Sequence, residues 1–405
     1  MAISLGKLYK VGFFIFALVA LPLNFTYALL YVLGYFPALP FMGYATITHL
    51  FSPIVLLFLL TNGSILLNVK YFYLLIFFLF QVLVYTFVGY FLSDYSYNLE
   101  AFAQSFLLFY YLLVYAVLGF GLYYFKIMGS KIWLYFLYFF IFVVVCLYFK
   151  NGTFSFYFNL MNPSAATINY QEVSIIFLFV WFFYYAGVFD SIERIKSIVI
   201  CVIILIASGA RTEFYGFILA LLYVFLLGNV RINFYKLKNF IIVFSILLVI
   251  LFLFKDFIFE VFENSRHFSV TKLDSDGSWQ EREYLKHKNL NYIYENPIFG
   301  SYASHFDIGR GFYIHNILSS WQQYGLLGFV LYLLLVVIPF LVISYTRVKT
   351  DNKKLDGFLF ISTYSLIVVI VTKSVYWAYL GVSIGSFLYY CFYFRSKLIL
   401  RKDFL

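Results

Sequence analysis

The sequence predicts an all-α, polytopic integral membrane protein of about twelve transmembrane helices with one large non-cytoplasmic loop. Three observations predict it. Of its 405 residues 64% are hydrophobic and 11% charged, whereas soluble domains run at about half and about a quarter. Apolar runs of span length recur along the chain. Lys and Arg collect in alternate connections, as they do on the cytoplasmic side of membranes.

A helix crossing the hydrocarbon needs roughly 20 apolar residues. The runs place spans near 11–33, 45–67, 71–92, 104–125, 132–149 and 172–189, then near 197–208, 213–229, 239–256, 313–343, 358–372 and 376–394. The first run is basic-flanked, but no small-residue cleavage site follows it, so it reads as a retained span. The 197–208 and 358–372 runs are short and call for tilt or shielding by neighbours. With both termini cytoplasmic, 18 of the 28 Lys and Arg residues fall inside, while the short outer connections carry only Lys150, Arg211 and Lys373. The formal charge of +10 is therefore mainly a topology signal, and nucleic acid is not an expected partner. Cys146, Cys201 and Cys391 sit inside apolar runs and form no disulfide or metal framework.

The chain thus divides into nine spans over 1–256, an outer loop over 257–312 and three spans over 313–405. The loop holds most of the unusual chemistry. Ser278-Trp279-Gln280-Glu281 matches a capping box, which predicts a helix from Trp279 to Glu295 with Arg282 in its first turn. Asn296-Pro297 ends it, because the residue before proline is pushed out of the α region. Asp307-Ile308-Gly309-Arg310-Gly311 reads as a turn, and His315-Asn316 stand at the start of the next span.

Four residues carry candidate chemistry. Arg211, in the tight turn Ser208-Gly209-Ala210-Arg211-Thr212-Glu213, is costly at a membrane interface unless it pairs or binds something. The residues alone leave open a pair with Glu213 or with a loop carboxylate. Arg282 by itself fits a wet helix face as well as a site. His315, at a helix N-terminus, is disfavoured as imidazolium and is a proton acceptor or a ring bonded to loop backbone. Arg310 is a weaker third cation. His49, Gln81, Gln104 and Glu172 are paired by no spacing, and His267, His287 and His305 fit no metal-ligand motif. No nucleotide loop or serine elbow is present, so neither a metal nor another cofactor is expected.

The order Ser208-Gly209-Ala210-Arg211-Thr212, Trp279 to Arg282, Glu295-Asn296-Pro297-Ile298-Phe299-Gly300, and His315-Asn316 followed by Gly325-Leu326-Leu327-Gly328 resembles the O-antigen ligase/polymerase superfamily of bacterial envelope glycosyltransferases. The resemblance covers 205–330 in motif detail. Ala210 departs from it, since serine or threonine is commoner there. It implies a fold like that of other polyprenyl-dependent membrane glycosyltransferases (GT-C-like). It also implies metal-independent transfer of a glycan from undecaprenyl pyrophosphate at the periplasmic face of the bacterial inner membrane. Arg211 and Arg282, with Arg310, would hold the pyrophosphate; His315 would be the base and Asn316 its support. An O-antigen polymerase, working beside a chain-length regulator, is the expected member. A ligase acting on lipid A–core has the same constellation. A lipid-linked oligosaccharide flippase also suits a dozen spans, but transporters place their charges near the midplane.

Overall fold

The computed structural model describes residues 5–32, 35, 50–92, 98–151, 170–228, 277–309, 312–350 and 352–402, and among these it is all helix with no strand. The helices are α1 (Leu5–Leu18), α2 (Asn24–Val32), α3 (Pro53–Leu67), α4 (Lys70–Leu92), α5 (Asn98–Tyr124), α6 (Lys131–Asn151) and α7 (Tyr170–Tyr185). They continue with α8 (Ser191–Ser208), α9 (Arg211–Gly228), α10 (Gly277–Glu295), α11 (Leu318–Lys349), α12 (Asp356–Val371) and α13 (Leu380–Lys402). A π-helical turn, Val19–Leu23, joins α1 to α2 and absorbs Pro22, whose ring and missing N–H an unbroken α-helix cannot accommodate. Among the described residues six helices are long and apolar enough to cross a membrane and four shorter ones are apolar, consistent with a polytopic membrane protein. The 239–256 span and Arg310 lie outside the described residues.

Most element boundaries agree with the apolar runs, and the exceptions have physical causes. The helix expected over 197–208 begins at Ser191 because Asp190 caps it, accepting from the amides of Ile192 (3.0 Å) and Glu193 (2.9 Å). Charge hid that start from a hydropathy reading. The span expected from 313 begins at Leu318 instead; Asn316 Oδ1 accepts from the Leu318 amide at 2.9 Å, an Asx turn that holds residues 316–318 as a turn leading into the helix. His315 is therefore in the turn before the helix. The loop helix starts at Gly277 and ends at Glu295; Arg282 lies in its second turn, not its first. The capping-box side chains are outside the described residues.

Close helix packing uses small residues where larger ones would separate the backbones. A Cβ on Gly119 of α5 would stand 2.5 Å from the Val382 carbonyl oxygen of α13. At one end of the bundle Asp356 accepts from Arg194 (2.7 Å) and Arg347 (2.9 Å), all three side chains being largely buried. The sixteen residues of α12 then run about 24 Å to the opposite end, where Lys373 meets Glu213. The charged residues that the sequence sorted to two sides thus gather at two ends of the bundle.

Candidate functional site

The site is built where the loop docks on the helices, and a broken helix makes the dock. Gly325 interrupts α11 with φ 67° and ψ −174°, a conformation essentially reserved for glycine. The turn after α10 fits into the break. The Leu326 amide donates to Ile298 O at 3.0 Å, the Ser301 amide donates to Gln322 O at 2.7 Å, and Trp321 Nε1 donates to Pro297 O at 2.6 Å. A Cβ on Gly325 would lie 2.7 Å from the Phe299 carbonyl carbon, and one on Gly300, also at positive φ, would lie 2.6 Å from Gly325 N. Two sequence motifs, Asn296-Pro297-Ile298-Phe299-Gly300 and Gly325-Leu326-Leu327-Gly328, are therefore the two halves of one backbone joint.

Neutral hydrogen bonds carry the loop beneath that joint. Loop helix α10 buries Leu285, Asn289 and Ile293, which recur every four residues and so form a stripe on one face. Asn289 Nδ2 donates to Phe312 O at 2.9 Å and its Oδ1 accepts from Gln322 Nε2 at 2.6 Å. His305 is fully buried. Its Nδ1 accepts from Gln323 Nε2 at 2.9 Å, which leaves Nε2–H to donate to Gln104 Oε1 at 3.1 Å. Burial pushes this imidazole down to about 4, in keeping with the neutral tautomer the partners require. Gln81 donates to Tyr324 O at 2.9 Å beside the break. Of the two glutamines that no sequence spacing paired, Gln104 anchors the loop through His305 and Gln81 holds α11 at its break.

Above these anchors the turn before α11 meets the connection between α12 and α13. Ser319 Oγ donates to Asn316 O at 2.7 Å and accepts from the Val375 amide at 2.7 Å, holding residues 373–376 against 313–316. Tyr313 packs against Tyr376 (ring centroids 5.4 Å apart) and against His315 (5.1 Å). His315 is half-buried, and its proton affinity is driven down to about 4, first by burial and then by the Arg282 and Lys373 charges beside it. Its ring is neutral at physiological pH. The expected neutrality stands, but through burial and two cations acting together.

Of the expected site residues, Arg282 lies near enough to His315 for its charge to lower the imidazole's proton affinity, and Asn316 accepts from the Leu318 amide in the turn that leads into α11. Arg211 is the first residue of α9 and half-buried. Glu213, one of the partners the sequence offered it, gives its carboxylate to Lys373 instead, with Nζ 2.5 Å from Oε1. Arg310 is outside the described residues. Sequence reasoning missed Lys373 as a site residue because it counted that lysine only for topology; its isolation in a short outer connection was the available signal. Among the described residues no group of three His, Cys, Asp or Glu side chains could hold a metal ion.

The arrangement offers a neutral proton acceptor within the field of two cations, Arg282 and Lys373, of which Lys373 is held by Glu213. That set suits transfer chemistry at an anionic leaving group. Residues 197–333 match a family model described as O-antigen ligase. The matched segment runs from within α8 to within α11 and includes Arg211, Arg282, His315 and Gly325, but not Lys373. No curated protein matches the chain.

Proposed function

We propose that this protein is a glycosyltransferase that polymerises undecaprenyl-pyrophosphate-linked oligosaccharide repeat units into O-antigen or a related surface polysaccharide, at the periplasmic face of the bacterial inner membrane. The observation that carries the reading is His315, neutral and flanked by Arg282 and Lys373, inside a segment that matches the O-antigen ligase family model.

An acceptor sugar hydroxyl attacks the anomeric carbon of the donor, and His315 takes its proton. The bond from that carbon to the diphosphate breaks, and its electron pair stays on the diphosphate oxygen. Arg211 and Arg282 neutralise the growing charge, since a guanidinium fork matches two phosphate oxygens at once. Removing one such preorganised donor typically costs about 10²–10³ in rate. A base held near 4 in the free protein is weak, and the substrate corrects this. Burial depresses His315 most, and a bound diphosphate offsets the Arg282 and Lys373 charges that add to it, so its proton affinity rises when the donor is in place. The polyprenyl tail remains in the lipid.

The same groups serve a ligase that delivers the finished chain to lipid A–core, and the description of the matched family supports that second reading. One reconstitution separates them. The purified protein is given lipid-linked repeat unit alone, and a ladder of longer lipid-linked glycans on a gel is the expected product. Unchanged donor that is consumed once lipid A–core is added would make the protein a ligase. Unchanged donor in both tubes would overturn the transferase reading.

A further inference from the structure

We propose that Lys373 is a phosphate-contacting residue of this site, held in position by Glu213, and that it supplies a further cation to the diphosphate leaving group. The proposal rests on the glycosyl-transfer reading and deepens it.

Three elements converge on this lysine. Its Nζ is 2.5 Å from Glu213 Oε1 in the first turn of α9, and the two side chains are 10% and 0% exposed. On another side stands His315, whose proton affinity the lysine lowers. Glu172, in the first turn of α7, also feels its charge. The backbone around it is fixed: the Lys373 amide donates to Val368 O at 2.7 Å, and the Val375 amide donates to Ser319 Oγ at 2.7 Å.

Hydrogen-bonding capacity points to a ligand. An ammonium has three N–H donors, and among the described residues Lys373 faces only the one carboxylate oxygen. Neither Glu213 carboxylate oxygen makes a hydrogen bond of good geometry among the described residues, Oε1 meeting Lys373 as an ion pair and Oε2 meeting nothing. A purely structural ion pair at this burial needs its remaining donors and lone pairs satisfied to offset desolvation, and apolar residues of the same volume often serve stability as well. An incomplete buried pair beside the proposed base is a place that another molecule completes. The chemistry that completes it is an anion with several oxygens. As the anomeric C–O bond breaks, the electron pair moves onto the diphosphate. The free ammonium donors meet that charge while Glu213 keeps its own contact, so no proton has to move between them.

Neutralising the pair as a unit separates contact from scaffolding. Lys373→Met and Glu213→Gln alone are each expected to lower thermal stability, because each strands a buried charge. The double variant Lys373→Met/Glu213→Gln is expected to regain stability; Lys373→Gln/Glu213→Leu is a second neutral pair if the first does not fold. In reconstituted full-length protein, the folded double variant should show kcat/KM for the lipid-linked donor about 10–100-fold below wild type, the loss of one charge-assisted phosphate bond. Inhibition by inorganic pyrophosphate should weaken by at least tenfold. Wild-type kcat/KM and wild-type pyrophosphate inhibition in that variant would overturn the proposal and leave the pair a scaffold. An inactive wild type would instead overturn the transferase reading, and direct pyrophosphate binding to the two proteins would then decide Lys373 alone.

Discussion

Gly325→Ala tests whether the backbone joint builds the site. At φ 67° and ψ −174° an alanine carries about 1–3 kcal/mol of backbone strain. The strain is not the whole effect, because the new methyl meets backbone atoms of Ile298 and Phe299, which no side-chain rotation moves aside. The turn must retreat, and the bonds Leu326 N to Ile298 O, Ser301 N to Gln322 O and Trp321 Nε1 to Pro297 O go with it, at about 1 kcal/mol each. Together these sum to about 4–6 kcal/mol against the docked loop. Hydrogen exchange in detergent reads this directly. The Ser301 and Leu326 amides should exchange at least a hundredfold faster than in wild type, and glycan transfer should fall in step. Gly63→Ala is the control: it is helical and a Cβ there meets nothing within 4 Å, so it should be neutral or stabilising by up to about 1 kcal/mol. Unchanged protection at both amides in Gly325→Ala would refute the joint.

Four further outcomes are expected. Asp356→Asn leaves Arg194 and Arg347 without their buried countercharge and should cost about 3–5 kcal/mol, read as a lower melting temperature in detergent with no recovery by ligand. His315→Ala should reduce glycan transfer by about 10²–10⁴, and the acid limb of the wild-type kcat/KM profile should fall near pH 4, where the free protein's imidazole takes its proton. A limb centred near 6.5 would remove His315 from that role. His305, held near 4 by burial, refuses a proton that the unfolded chain accepts near 6.5. Its contribution to stability is therefore complete above pH 6.5 and is lost, by about 3 kcal/mol, as the pH falls from there through 4; His305→Gln should remove that share and leave the similar one of His315. EDTA should leave transfer intact; a loss restored by magnesium would contradict the metal-free mechanism.

How much of this was legible in the sequence follows from the range of each cause. Spans were legible because lipid imposes one length and one composition on any helix that crosses it. Asp190 shows where that reading fails: it extends α8 into charged residues, and a hydropathy window sees charge before it sees a cap. The end of the loop helix at Glu295 was local chemistry, proline two residues on, and was readable. His315 and Arg282 were singled out by residue type and order, yet their proximity is tertiary. Lys373 was visible as an isolated outer lysine, but its pairing was hidden for a related reason. Its partners stand 160 and 58 positions away in the sequence, at Glu213 and His315, and no spacing encodes such a meeting. Gln81 and Gln104 were visible as oddities in apolar spans, but their partners are a carbonyl at a helix break and a loop histidine, neither of which has a pattern.

The Arg194–Asp356 bond spans 162 positions in the chain, and that separation sets a schedule for synthesis. At roughly 5–20 residues per second, about 8–30 s pass between the arrival of the arginine and that of its carboxylate. During that interval Arg194 carries an uncompensated charge at the end of a helix whose apolar part is only Ser197–Ser208. Its stable position is then the headgroup layer, where a long basic side chain reaches water. Local contacts hold the guanidinium meanwhile, the Val188 carbonyl and the Tyr185 and Phe189 rings, and α12 then brings the carboxylate that joins this end of the bundle.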